Sequence, residues 1–378
     1  MTSTPRSLLL PPSVAIALAS SALLHAGEPP QYRLERLEVP GATSVSVNDV
    51  NDHGEAVGSY QDADFLRHAV YWDANGTAHT LALTPGIEVE GIARAINNEG
   101  QIVGTATDFE FGAAAALLWT TAAPGTYTVI HRVAEQAANV ADINDAGVAV
   151  GGLGGFGTGV PNHAFSWSAA DGLVDYCVVD PGVGNQNTRW TAIDNGGRLI
   201  GYWSVGFSTI HATTGQIGTP AVQPMSAMTE AFPSIAAGIN NEGTVVGLGL
   251  STAQPTLVPV VFTGTGEFVE LPGATLAQTN GAATAINNAG VIVGNAGIGS
   301  ANGIVPGLQA FVHVDGSSHD LFTLADDTTG YTRFSSAVAI NTSGVIAGTG
   351  RLADSSIGSF LLVPIAADAI FTDGFEVN

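Results

Sequence analysis

The residues of this chain whose types could do chemistry are a few acidic pairs, recurring Asn/Asp turns, nine histidines and a single thiol. Asp62 and Asp108 stand beside aromatic residues, Tyr60 and Phe65 for the first, Phe109 and Phe111 for the second. Two carboxylates facing one another across a cleft, roughly 5 to 9.5 Å apart, are the equipment of glycosidic hydrolysis. The turns Asp49 to Asp52 and Asp142 to Asp145 raise calcium, which takes about six to eight oxygens and favours several carboxylates in one loop. Equivalent turns at Asn287-Asn288-Ala289-Gly290 and Asn341-Thr342-Ser343-Gly344 contain no acid. Turn chemistry accounts for every copy, so no metal is expected. His68, His163 and His211 occupy one recurring position without His-x-His or His-Glu-x-x-His spacing, and read as structural. Gly-x-Ser-x-Gly is absent. Cys177, in the apolar run Val174 to Val179, reads as a small core residue.

Charge narrows the field further. The chain has 33 acidic residues against 10 basic ones, all arginine, for a net charge of -23. Binding to nucleic acid needs a basic surface that displaces counterions, so nucleic acid is not an expected partner. Without lysine there is no Schiff base, no Walker-type phosphate loop and no Ser-Lys pair. No cofactor is expected. Residues 1–26 read as a secretory signal: Arg6, an apolar stretch from Leu8 to Leu24, then Leu24-His25-Ala26 as a cleavage site. No further segment reads as a transmembrane anchor. One cysteine cannot form an internal disulfide, so an exported monomer must be held by packing.

These residues hang on a repeat. Seven versions of Ile-Asn-Asn-x-Gly-x-Ile-Val-Gly place turns at Asn51 with Gly54, Asn97 with Gly100, Asn144 with Gly147 and Asp194 with Gly197. Asn240 with Gly243, Asn287 with Gly290 and Asn341 with Gly344 complete the set. The steps are 46, 47, 50, 46, 47 and 54 residues. Asn or Asp bonds its own backbone and Gly supplies positive φ, so each copy is a tight hairpin. Around it lie a small-residue strand (Ala93 to Ile96), a Gly-x-Ile-Val-Gly strand, an aromatic strand (His68 to Trp72, His163 to Trp167) and a fourth (Glu267 to Leu271). Four strands per period of this length make a propeller blade. The prediction is an all-β, seven-bladed β-propeller over residues 31–364, with a tail at 365–378. Tyr32 to Gly41 resembles a fourth strand without its unit, and the last unit lacks one, so the N-terminal strand should close the ring.

The same pattern, with His163-Ala164-Phe165-Ser166-Trp167 after Asn144 to Gly151, resembles the bacterial HAF repeat of extracellular repeat proteins. The resemblance spans residues 32 to 364, weakens in the fourth unit, and implies export and repetition but no activity. Function is expected on the face opposite the hairpin turns, where longer loops gather on a rigid scaffold. Trp190, Trp203, Phe207, Phe109 and Tyr331 are the expected stacking platforms, with Asp62, Asp108 and Asp326 as polar partners. The expectation is a secreted or cell-surface module without catalytic activity, binding glycan or protein on this face. A glycoside hydrolase or polysaccharide lyase using the face carboxylates is the alternative, and a structural or adhesive surface protein the third reading.

Overall fold

The computed structural model describes residues 29–365, apart from 85–87, 109–112, 134–135, 155–161, 177–185, 206–208, 226–232, 252, 254–255, 264–266, 273–280 and 301–302. The signal segment, the C-terminal tail and Cys177 therefore lie outside the described residues. Within them the chain forms seven four-stranded antiparallel sheets, the blades of a β-propeller. Blade 1 runs through Ser44–Val50, Ala56–Gln61, Arg67–Trp72 and Ala78–Thr80; blade 2 through Glu88–Ile96, Gln101–Asp108, Ala113–Thr120 and Thr128–His131. The innermost strands of blades 3 to 6 are Ala137–Ile143, Gln186–Ile193, Ser234–Ile239 and Ala282–Ile286.

Blade 7 is built from both ends of the described chain. Tyr331–Ile340, Ile346–Leu352 and Ile357–Pro364 form its first three strands, and Tyr32–Leu37 pairs antiparallel as the fourth, with Tyr32 opposite Pro364 and Leu37 opposite Ser359. Ring closure buries Tyr32 and Leu37 and covers the outer side of the third strand, Ile357–Pro364.

The core lies between blades. Alternate residues of each strand face opposite neighbours, so Val57, Ala69, Tyr71 and Leu81 of blade 1 pack on Ala93, Ile102, Leu117 and Trp119 of blade 2. Large rings on third strands, such as Trp72, Trp119 and Phe165, are wholly buried. Small residues predominate in several innermost strands, as in Ala137–Ile143 and Ala282–Ile286.

The repeat has two glycines with two separate duties. The first takes positive φ in every copy, from +70° at Gly100 to +85° at Gly243. The second faces a β-bulge. Every innermost strand slips register by one residue opposite this glycine, as between Val140 and Asp142 opposite Gly151. A side chain at Gly151 would collide with the carbonyl of Asn139, so only glycine admits the bulge. The residues extruded by the seven bulges are Asn48, Arg94, Ala141, Thr191, Ala237, Thr284 and Val338.

Candidate functional site

The channel has two chemically different ends. At one, the seven turns, six led by Asn and one by Asp194, meet around a cavity of about 170 Å³. Each turn asparagine uses both ends of its carboxamide. Its Oδ1 accepts the backbone N–H four residues on, as Gln101 N–H to Asn97 at 2.8 Å. Its Nδ2 donates to the carbonyl of the equivalent residue in the next blade: Asn51 to Asn97, Asn97 to Asn144, Asn144 to Asp194, Asn240 to Asn287 and Asn287 to Asn341, at 2.9–3.2 Å. Asn341 donates back to Asn51 at 3.0 Å and closes the circle. Asp194 has no side-chain donor, and there Arg198 binds its carboxylate and reaches the carbonyl of Asn241 in blade 5.

Just inside this rim lie two half-buried carboxylates, Asp49 and Asp142. Asp49 accepts from the N–H groups of Val50 and of Ile96 in the next blade, at 2.8 and 2.9 Å. Asp142 repeats the arrangement with Ile143 and Ile193. Burial, then the charge of Asp142, pushes the pKa of Asp49 up to about 7 despite these bonds. Burial alone raises Asp142 to about 6. Among the described residues no group of three His, Cys, Asp or Glu is placed to hold a metal.

The opposite end is cationic. Between blades 1 and 2 a cavity of about 270 Å³ is lined by Ser44, Ser46, Asn48, Ser59, Gln61, Arg67 and Arg94, with Tyr60 and Ile92. Arg67 opens the third strand of blade 1. Arg94 is the residue that the bulge of blade 2 extrudes, and a bulge re-aims its side chain. Arg189, on the innermost strand of blade 4, lies across Gly152 of blade 3. Protein crowds the guanidinium of Arg94 although the residue as a whole keeps exposed surface; this desolvation, and then the charges of Arg189 and Arg67, lowers its pKa. Among the described residues none of these three arginines forms an ion pair or side-chain hydrogen bond.

The residues expected to form a loop-face site are scattered. Trp190 is buried at 1% exposure, edge-on to Tyr176 between blades 3 and 4, so its ring is unavailable to a ligand. Tyr331 is likewise a core residue: its hydroxyl donates to Ser359 O, and it packs on Phe334 and Phe360. Trp203 is half-buried and stacks on His211 at 6.0 Å. Asp326 accepts from Leu34 N–H and so fastens the closing strand. Asp62 accepts from the N–H groups of Asp64 and Leu66 and from His68 Nε2 at 2.7 Å, pinning the turn between the second and third strands of blade 1. Phe109, Phe207 and the side chain of Asp108 lie outside the described residues. The expected platforms at Trp190 and Tyr331 are thus corrected: strand alternation turns both into the interfaces between blades.

Sequence reading missed Arg67, Arg94 and Arg189. One signal was present, because Arg94 is the lone cation at a position filled elsewhere by Asn, Ala, Thr or Val.

No protein-family profile matches the chain, and no curated protein does. Solved structures share the architecture. An oligogalacturonate lyase from Vibrio parahaemolyticus is 11% identical with a TM-score of 0.56, covering 88% of this chain and 97% of that one. A puromycin hydrolase (11%, TM-score 0.53) and an acylaminoacyl peptidase (11%, 0.51) match over 89% and 88% of this chain but only 56% and 54% of their own. The chain thus spans little more than half of these two proteins. The likeness shows the fold, and it corrects one expectation. The three solved structures named here are a lyase, a hydrolase and a peptidase, so the propeller gives no ground for a module without catalytic activity.

Proposed function

We propose that the arginine mouth is the working site of an enzyme that takes a small organic anion as substrate. The observation that carries this reading is a cavity lined by Arg67 and Arg94, with Arg189 near enough for its charge to act on Arg94 and no carboxylate paired with any of the three among the described residues, in a chain of net charge -23. The long-range field of such a protein repels anions, so the cluster is no steering device. Guanidinium groups crowded together destabilise one another until a negative charge joins them, and their planar forks match a carboxylate in bidentate geometry. Ser44, Ser46 and Gln61 on the cavity wall supply partners for hydroxyl groups. The enzymes among the solved structures support a catalytic reading, and the name of the first gives it a carboxylated substrate. Export, expected from residues 1–26, would place the site in contact with extracellular material.

The test pairs acidic and neutral small molecules of one shape, galacturonate with galactose and succinate with succinamide, in calorimetric titrations. Acidic members should bind at least about tenfold more tightly, and Arg94→Gln should remove that preference, since one charge-assisted bond is worth roughly 1.5–3 kcal/mol. Bound anions and their oligomers are then incubated with the protein and followed by mass spectrometry for conversion. Equal affinity for charged and neutral partners would sink the reading.

A further inference from the structure

Phe65 stands out beside this site. Residues 62–66 form the same five-residue turn as Asn51 to Glu55 and Asp73 to Thr77: the first side chain accepts N–H bonds from the third and fifth residues, and the fourth takes positive φ. That fourth residue is Gly54 or Gly76 in the other two turns, at φ +78°. Here it is Phe65, at φ +63°. A bulky residue in the left-handed region is strained, and such strain persists where surrounding structure enforces it. Burial does not compensate, because Phe65 is 70% exposed, more than any other large apolar residue among those described.

Its position gives the strain a use. The turn closes the hairpin whose last pair is Gln61 opposite Arg67, and both of these line the cationic cavity. Gln61 Nε2 also donates to the carbonyl of Phe65 at 3.4 Å. The bond from His68 to Asp62 anchors the base of the turn. An exposed apolar ring is thus carried by the turn that adjoins an arginine-lined, hydroxyl-lined cavity. An inorganic anion has no use for such a ring. A chain of uronate sugars does: each unit has a carboxylate, hydroxyls and an apolar face of C–H groups.

Resting on the anion-site reading, we infer that Phe65 is a stacking platform and that the substrate class is a uronate oligosaccharide, one unit's carboxylate on the arginines and its neighbour's ring on Phe65. The experiment titrates the full chain with galacturonic acid and its dimer and trimer, alongside inorganic phosphate, using the parent, Phe65→Gly, Phe65→Trp and Arg94→Gln. The parent should gain about tenfold or more from monomer to dimer, as one well-placed aromatic contact provides. Phe65→Gly should bind the monomer normally, lose the gain, and melt higher, because glycine relieves the backbone. Phe65→Trp should keep the gain, and Arg94→Gln should weaken monomer and dimer alike. If Phe65→Gly retains the dimer gain, the platform is refuted while the arginine site stands. If the parent binds phosphate but no uronate, the saccharide assignment falls alone; if it binds none of these anions, the site falls too.

Discussion

The two ends of the channel use one repeat for opposite purposes. At the rim, seven turns that differ little in sequence bond each to the next, and nearly every polar group has a partner one blade away. At the mouth the blades are unlike, and three cations stand without partners among the described residues. The bulge position shows how one becomes the other. Asn48, Thr191 and Thr284, extruded at this point, bond the carbonyls of Ala93, Ala236 and Ala337 in the next blade, at 2.6, 2.7 and 2.7 Å. In blade 2 the same point carries Arg94, which makes no such bond among the described residues and lines the cavity with Arg67 instead. A binding group has replaced a latch. Stability comes from keeping the repeat, and function from breaking it at chosen blades.

The largest effect should come from cutting the rim. Asn97→Ala removes the bond to the Asn144 carbonyl and strips the acceptor from the N–H groups of Glu99 and Gln101, all in a residue 4% exposed. Unpaired buried groups cost about 1–3 kcal/mol each, and partial rehydration at the rim brings the expected loss to about 3 kcal/mol. Denaturant unfolding measures it. Anion affinity of the folded fraction should not change; a coupled loss would mean that rim and mouth are not independent.

A smaller effect follows from pH. Asp49 rises from an ordinary 3.8 to about 7 in the folded protein. Between these values the folded chain holds a proton that the unfolded chain has released, so stability falls as pH rises from about 4 to 7. Halved for the solvent that still reaches Asp49, the shift is worth about 2 kcal/mol. Asp142 adds a lesser share in the same direction, ending near pH 6. Asp62 and Asp73, hydrogen-bonded to His68 and His79, are shifted downward and act only below this window. Asp49→Asn should flatten most of the melting-temperature slope from pH 4 to 7. A slope as steep as the parent's would place the titrating group elsewhere.

How much of this was legible follows from the range over which each residue acts. The blades, the hairpins and the closing strand rest on local spacing, and Tyr32–Leu37 finds its partner in a gap that the sequence itself displays. Turn formation by Asn97 was legible for the same reason. Its second duty was not, because the partner carbonyl is 47 residues away and belongs to the next blade. Trp190 and Tyr331 misled for a related cause: proximity to a loop is local, whereas burial depends on which neighbouring blade covers that face. Arg94 was hidden most deeply. A bulge resets strand alternation, so the direction of the extruded side chain cannot be counted from its neighbours.

The smallest change is also the sharpest test of the contrast between latch and ligand group. Arg94→Thr puts at the bulge of blade 2 the residue that blades 4 and 6 already have. There Thr191 and Thr284 each bond two carbonyls, one in their own second strand (Ile200, Val293) and one in the next blade. The matching acceptors for position 94 are the carbonyls of Val103 and of Val140, which hold the same register places opposite the bulges of blades 2 and 3. Threonine should therefore gain one net inter-blade bond, about 1 kcal/mol, while relieving repulsion with Arg67 and Arg189. The expected variant melts slightly higher and no longer distinguishes galacturonate from galactose. If it instead melts lower, Arg94 is a structural member of the blade interface, and the mouth loses its claim to be a site made by giving up stability.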